Sequence, residues 1–237
     1  MHPTPEEQGI PVPSALHRTP SRRFACVLAG CCATALVPMS ADAGVYAGMQ
    51  QNGEDNRIVY AGALLVRGER FYELFAARLE YRYMDGGGEV RAEQRIVTPA
   101  IGLRWQDGWA ATAAIGPSFI SREEEGARTE DNDSIGLTIK GSLLSAPGPL
   151  SGEVLASFTT IDQILWGRAR ILRAASSQFV FGGEFIGMRG DQAHSYGAGL
   201  VLGISGRPGR LGFVLGYERS TNREQTPYGG IELSAFF

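Results

Sequence analysis

The feature that most constrains this 237-residue chain is a period-two alternation of side-chain character, repeated from residue 44 to the C-terminus. In "SIGLTIKGSLL" (134–144), Ile135, Leu137 and Ile139 alternate with small or polar residues such as Thr138 and Lys140. Successive residues of a strand point to opposite faces, so this pattern predicts a strand with one apolar face. Because no convincing amphipathic helix interrupts the alternation, the sequence predicts an all-β fold.

Twelve alternating segments are separated by turn clusters rich in Gly, Pro, Asn and Asp. Their lengths suit the roughly 9–11 tilted residues that cross a bilayer as a strand. Pro99 predicts a bulge or kink in the fourth segment, because proline cannot donate to the ladder. The predicted strands lie near 45–51, 57–66, 71–84, 93–105, 109–120, 134–145, 150–160, 164–174, 178–188, 194–205, 210–218 and 227–237.

The connections alternate between tight turns, such as 146–149, and mostly longer polar segments, such as 121–133. This alternation is typical of an antiparallel meander inserted into a membrane from one side. With an even number of strands, both termini fall on the short-turn side, which is the periplasm. Segment 121–133 carries six carboxylates and is interpreted as a solvated loop. A divalent-cation site is the alternative, although the spacing fits no EF-hand.

Residues 1–43 are interpreted as a signal peptide, followed by a β-barrel over 44–237. Two arginines precede an apolar run of 14 residues, and a small-x-small site ends at Ala43. The alternative is lipoprotein processing at Cys31, which follows Leu28-Ala29-Gly30. Cleavage after Ala43 would leave no cysteine, and therefore no disulfide framework and no thiol nucleophile. The formal net charge of −3 gives no basic excess for nucleic acid.

Two architectures fit the alternation: a membrane barrel with its apolar face on lipid, and a secreted or lipid-anchored β-sandwich with that face buried. The export signal, the aromatic residues near strand ends and the aromatic C-terminus favour an outer-membrane barrel surrounded by lipid. The C-terminal residues Ile231, Leu233 and Phe237 are interpreted as an assembly signal on one face of the last strand. The aromatic girdle is expected to contain Trp105, Trp109, Phe119, Phe158, Trp166, Phe213 and Tyr228.

The face opposite the apolar one should line the lumen with charged side chains. One hypothesis is a selectivity ladder for an anionic or sugar solute. The other is an ion network that plugs a narrow barrel. The variant Glu232→Gln, on the lumen face of the last strand, is expected to insert normally. The predicted lumen charges are Arg78, Glu80, Arg82, Lys140, Arg168, Arg170, Glu184, Glu218 and Glu232.

A lipid-modifying enzyme is the remaining alternative, because one histidine, His194, follows the signal segment and precedes Ser195. Adjacent strand residues point to opposite faces, so these two side chains cannot form a catalytic pair with each other. No G-x-S-x-G sequence marks another nucleophile. The sequence therefore predicts a protein without catalytic residues, cofactor or metal.

Residues 165–203 and 228–237 resemble the cellulose biosynthesis protein BcsS family. The resemblance rests on the segments 166–170, 183–184, 196–197 and 228–230, with a weaker match at 60–62. It implies an exported Gram-negative protein with an outer-membrane accessory role in exopolysaccharide production. The implied partners are cellulose synthase or export components, or the polysaccharide, and the family supplies no catalytic residues.

Overall fold

A computed structural model describes residues 43–53, 56–85, 88–125, 130–146, 148–190, 194–206, 209–220 and 223–237. The predicted export signal and the alternative lipid site at Cys31 precede these residues and lie outside the described part. Within the described ranges, no helix is long and apolar enough to cross a membrane.

Twelve antiparallel strands form a closed barrel, in which every strand pairs with its sequence neighbours and β1 pairs with β12. The up-and-down barrel predicted from the alternation is therefore confirmed, and a two-sheet sandwich is excluded. The strands are β1 (Ala43–Asn52), β2 (Asn56–Arg67), β3 (Arg70–Asp85), β4 (Gly88–Gln106), β5 (Ala110–Glu125), β6 (Glu130–Leu144), β7 (Leu150–Thr159), β8 (Ile164–Ala174), β9 (Phe179–Arg189), β10 (His194–Gly206), β11 (Gly209–Ser220) and β12 (Arg223–Phe236).

An apolar belt covers the outside of the barrel. On β4 the belt runs from Val97 to Trp105, and the intervening Ile101 and Leu103 are 48% and 45% exposed. Nine strand residues span about 30 Å, which corresponds to about 23 Å across a bilayer at a tilt of about 40°. That height matches the outward apolar band of roughly 25 Å in outer-membrane barrels.

The two ends of the barrel differ in the height of the wall. We call the end that contains Ala43 and Phe237 the terminal end, and the opposite end the distal end. Strands β3 to β6 have 15 to 19 residues, whereas β1 and β7 have 10. The additional residues of β3 to β6 extend beyond the apolar belt at the distal end. One side of the distal rim is therefore a tall sheet.

Most of the acidic segment 121–133 is part of this tall sheet, which corrects the interpretation of these residues as a loop. Strand β5 continues to Glu125 and β6 begins at Glu130, with Arg122 opposite Asn132. Ladder pairing satisfies the backbone groups, and the side chains of Glu123, Glu125 and Asp133 are exposed on the strands. As a result, the connections have two to five residues at the terminal end and two to four at the distal end. The predicted difference in loop length is replaced by a difference in strand length.

The irregularity predicted at Pro99 lies in the β4–β5 ladder. Pairing stops after Val97–Phe119 and resumes at Ile101–Ile115 in the same register. The interruption therefore inserts no residue and is not a bulge. Opposite it, a Cβ on Gly116 would lie 1.9 Å from the carbonyl oxygen of Pro99, so only glycine fits this close approach.

Candidate functional site

The terminal half of the lumen contains a buried ion network formed by side chains of four strands, β7, β8, β9 and β12. The guanidinium of Arg168 lies 2.6 Å from Glu153 and 2.8 Å from Glu232. That of Arg170 lies 2.6 Å from Glu184 and 2.7 Å from Glu232. Both arginine side chains are only 2% exposed. Glu232 is the one carboxylate among these that contacts both arginines.

Strand register explains why these groups meet. Arg170 on β8 lies directly opposite Glu153 on β7 and Glu184 on β9, so their side chains share the inner face. Glu232 stands on β12, four places from β8 in the sheet order. Its contacts with Arg168 and Arg170 therefore cross the lumen. Such a crossing places charged side chains across the terminal half of the lumen.

Two further groups balance and support this network. Arg210 on β11 interacts electrostatically with Glu153 and Glu232. With Arg210 included, three arginines face three glutamates: Glu153, Glu184 and Glu232. The hydroxyl of Tyr228 donates to Glu184 at 2.9 Å. These six side chains are thus charge-balanced among themselves, which lowers the cost of burying them.

A second buried ion pair lies on the opposite wall. The ammonium of Lys140 lies 2.5 Å from Glu73, whose other oxygen accepts the hydroxyl of Tyr46 at 2.5 Å. The ring of Tyr46 lies flat against Gly62, where a Cβ would overlap it. Tyrosine covering a cross-strand glycine is a known way to pin strand register. This contact explains why the segment Tyr60-Ala61-Gly62 ends in a glycine, since a Cβ at position 62 would overlap the Tyr46 ring.

Most of the large buried side chains in the distal half of the lumen are apolar or aromatic. They form one cluster that includes Leu79, Tyr81, Ile96, Ile120 and Trp166. Phe75 and Tyr60 stack within the same cluster, with ring centroids 6.4 Å apart. A solute would therefore meet packed apolar side chains above the ion network.

An ion pair crosses the distal mouth above the apolar cluster. Arg122 of β5 lies 3.3 Å from Asp162, in the connection between β7 and β8, and each side chain is 15% exposed. Asp162 and Gln163 have φ values of 55° and 47°, a conformation that costs a non-glycine residue free energy. Ile161 of the same connection packs against the cluster. The connection is thus held over the lumen.

Two predicted girdle aromatics are inside the barrel instead. Trp166 and Tyr228 are both 2% exposed, the first in the apolar cluster and the second bonded to Glu184. The other aromatics of that group are exposed on the outer surface, with exposures from 37% to 46%. The two exceptions stand at inward positions of β8 and β12. The prediction used only their nearness to a strand end, whereas the side on which a side chain lies is set by the alternation along the strand.

Three predicted lumen charges lie on the outside of the barrel. Arg78, Glu80 and Arg82 are at outward positions of β3, whereas Leu79 and Tyr81 are 5% and 4% exposed and point inward. The prediction was wrong for these three residues because it assumed an apolar outer face along the whole strand. Above the belt the outer face meets water and the inner face packs on the apolar cluster, so the polarity is reversed.

Glu218 faces inward but lies apart from the ion network. It accepts a hydrogen bond from the Asn52 amide at 2.5 Å and another from Ser195. His194 is exposed, whereas Ser195 is 8% exposed and points inward. Their side chains therefore lie on opposite faces of β10, as the sequence predicts.

The C-terminal strand presents the expected outward face. Ile231, Leu233 and Phe237 are 40%, 53% and 69% exposed on the outer surface. Phe236 points inward and packs against Gly44. The backbone of Phe237 exchanges two hydrogen bonds with Ala43, at 2.9 Å and 3.3 Å. The end of the chain therefore lies at the seam that closes the barrel.

No group of three or more metal-ligating side chains occurs among the residues that the structure describes.

The side-chain amide of Gln94 on β4 is fully buried. Neither its oxygen nor its nitrogen has a hydrogen-bond partner among the described residues. Its neighbours along the inward face of β4, Ala92 and Ile96, belong to the apolar cluster.

Sequence reasoning missed Glu73, Glu153 and Tyr228 as members of the lumen networks. Each stands at an inward position of its strand, so a full alternation count over β3, β7 and β12 could have identified it. Their partners could not be identified this way, since Arg168 and Glu232 are 64 residues apart.

Comparison with known families gives a match over the whole barrel. The model of the family described as cellulose biosynthesis protein BcsS matches residues 44–237. No curated protein matches the sequence.

Solved structures with a similar fold are outer-membrane proteins of low sequence identity. The COG4313 outer membrane channel from Pseudomonas putida F1 has a TM-score of 0.56 and 9% identity, over 86% of this chain and 97% of that one. LpxR from Salmonella typhimurium has a TM-score of 0.55 and 10% identity, over 82% and 100%. The translocator domain of autotransporter NalP from Neisseria meningitidis has 0.53 and 10%, over 83% and 89%. At such identities the likeness concerns the fold alone.

Proposed function

Because the chain belongs to the cellulose biosynthesis protein BcsS family and forms an outer-membrane β-barrel, we propose that it is a non-catalytic, non-conducting accessory to cellulose biosynthesis or export. The observation that supports this proposal is the set of buried side chains in both halves of the lumen. The terminal half holds the network centred on Glu232, and the distal half holds the apolar cluster. With both halves occupied by its own side chains, the barrel acts through its surfaces.

The energetics of the network argue against a solute channel. A passing solute would have to separate Glu232 from Arg168 and Arg170, contacts of 2.7 to 2.8 Å. Breaking a buried ion pair by removing one partner costs about 3–5 kcal/mol. In the distal half, a polar solute would have to displace the packed aliphatic and aromatic side chains of the cluster. Passage would therefore be slow in both halves of the lumen.

The geometry also argues against the lipid-modifying alternative. A nucleophile and its base must come within hydrogen-bond reach of each other. His194 and Ser195 point to opposite faces of β10, and Ser195 is engaged with Glu218. The proposed role thus depends on partners: components of the cellulose synthesis or export machinery, or the polysaccharide itself. The terminal end is assigned to the periplasm, as expected for an even-stranded barrel.

Conductance measurement tests the closed lumen. Purified protein in planar bilayers is expected to show no stepwise conductance under an applied voltage. A triple variant, Arg168→Ser with Arg170→Ser and Glu232→Ser, removes the side-chain contacts across the lumen but leaves the apolar cluster, so it should also stay closed. Stable conductance steps from the wild-type protein would refute the non-conducting role.

Complementation tests the non-catalytic role. In cells lacking the gene, His194→Ala is expected to restore cellulose yield to the wild-type level and to leave extracted envelope lipids unchanged in mass. A lipid mass change that requires His194 would show catalysis. An unchanged cellulose yield on deletion of the gene would refute the accessory role itself.

A further inference from the structure

The outer face of the tall sheet carries charges in an unusual arrangement. In the β3–β4 ladder, Arg78 lies directly opposite Arg95, and Glu80 lies opposite Glu93. In the β4–β5 ladder, Glu93 lies opposite Glu123. Like charges directly opposite each other destabilise a sheet. Residues of like charge are thus opposite each other on neighbouring strands of this face, and their repulsion weakens the strand pairing.

The basic members of this arrangement lie next to the apolar belt. Arg95 is the first outward residue beyond Val97, the distal limit of the belt on β4. Arg78 is paired with it on β3, two positions beyond Ala76. The carboxylates of Glu80 and Glu93 stand one outward position further from the belt. With the terminal end in the periplasm, the two arginines are at the height of the outer-leaflet headgroups.

Both arginines are held in place and keep unused donors. Glu93 lies between them, 2.7 Å from Nη2 of Arg78 and 2.8 Å from Nε of Arg95. Glu80 adds a contact to Arg78 at 2.9 Å, and Glu123 one to Arg95 at 3.3 Å. A guanidinium has five N–H donors. The side chains are 54% and 57% exposed, so the remaining donors face outward.

We propose that Arg78 and Arg95, the arginine pair, bind a phosphate of the lipopolysaccharide in the outer leaflet. Two cross-strand Cβ atoms are about 4.5–5.5 Å apart, a spacing at which one phosphate can accept from both guanidiniums. The anion offsets the repulsion between the two arginines, while Glu93 orients them from the distal side. The position at the edge of the belt selects a lipid-borne phosphate, because the acyl chains then cover Val97 and its neighbours.

Native mass spectrometry of the purified barrel tests the proposal. The protein in detergent is offered lipid A with both phosphates, the same lipid without phosphates, or inorganic phosphate. We expect retention of phosphorylated lipid A by the wild type. The double variant Arg78→Gln/Arg95→Gln should bind it at least about tenfold more weakly, as expected for the loss of a charge-assisted hydrogen bond.

The matched control removes another pair of opposed arginines from the same face. Arg82→Gln/Arg91→Gln takes away the same charge, since Arg82 lies opposite Arg91, but further from the belt. It should retain lipid A, and heat-modifiable gel migration should show that both double variants are folded. Equal retention by the Arg78/Arg95 variant, equal retention of the phosphate-free lipid, or displacement by inorganic phosphate would each overturn the proposal.

Discussion

Glu232→Gln is the substitution that most directly probes the ion network. The wild-type carboxylate accepts from Arg168 at 2.8 Å and from Arg170 at 2.7 and 2.9 Å. Glutamine keeps the size of the side chain but removes its charge. Three arginines then face two glutamates, so one buried positive charge lacks compensation. We therefore expect a large loss of stability, where the sequence alone predicted no effect on insertion.

The magnitude follows from the cost of an uncompensated buried charge, about 3–5 kcal/mol. We take the lower limit, about 3 kcal/mol, because glutamine can still accept one hydrogen bond. With a urea dependence of about 2 kcal/mol/M, the unfolding midpoint should fall by about 1.5 M. Urea titration of the refolded barrel, followed by tryptophan fluorescence, measures this shift.

Two controls make this prediction refutable. Glu123→Gln removes an exposed carboxylate 3.3 Å from Arg95 and should change the free energy of unfolding by less than about 0.5 kcal/mol. Adding Arg168→Gln to Glu232→Gln restores charge balance, so the double variant should be more stable than Glu232→Gln alone. Additive losses, or a midpoint for Glu232→Gln within about 0.3 M of wild type, would refute the charge argument.

Two further changes and one measurement on the wild-type protein give distinct outcomes. Deleting Phe237 should lower the outer-membrane level sharply, with the remainder degraded, as fractionation and immunoblotting would show. Gln94→Leu should raise the free energy of unfolding by about 1 kcal/mol, because it replaces a buried amide without hydrogen-bond partners in the described structure; a lower urea midpoint would contradict this. Intact-mass measurement should find a mature N-terminus at Gly44, and a lipid-modified Cys31 would disprove that processing.

The effect of Phe237 needs a control on the same strand. Gln225 is exposed near the distal end of β12, and Gln225→Ala should insert at the wild-type level. If the mature chain begins at Gly44, it lacks the Ala43 partner of Phe237. The deletion would then act through recognition during assembly, and refolded protein should keep its urea midpoint. Full-level accumulation of the deletion variant in the outer membrane would rule out the assembly role.

The barrel could be predicted from the sequence because one face of each belt segment is apolar. For β6 the alternation placed Lys140 inward, and for β8 it placed Arg168 and Arg170 inward. For β3 it failed, since "FAARLEYRY" has apolar residues at Leu79 and Tyr81 that pack on the apolar cluster. Alternation separates the two faces of a strand but does not say which of them lines the lumen. The apolar face points outward where the strand is in lipid and inward where the strand extends above it.

The partners within the network could not be predicted from one sequence. Glu153 and Glu184 meet Arg170 through the register of neighbouring strands, which a turn shorter by one residue would shift. Glu232 meets Arg170 only because twelve strands close into a barrel narrow enough for the side chains to cross it. Closure and diameter are properties of the whole chain.

The uneven rim has a geometric consequence. Strands β3 to β6 rise beyond the membrane on one side, while β7, which ends at Thr159, stays low. Seen along the membrane normal, the molecule has one high side and one low side, so turning it about that axis changes the surface that it presents. A partner that contacts both the bilayer and the tall sheet must approach the barrel from the side of β3 to β6. Copies that bind such a partner would therefore share one orientation about the membrane normal.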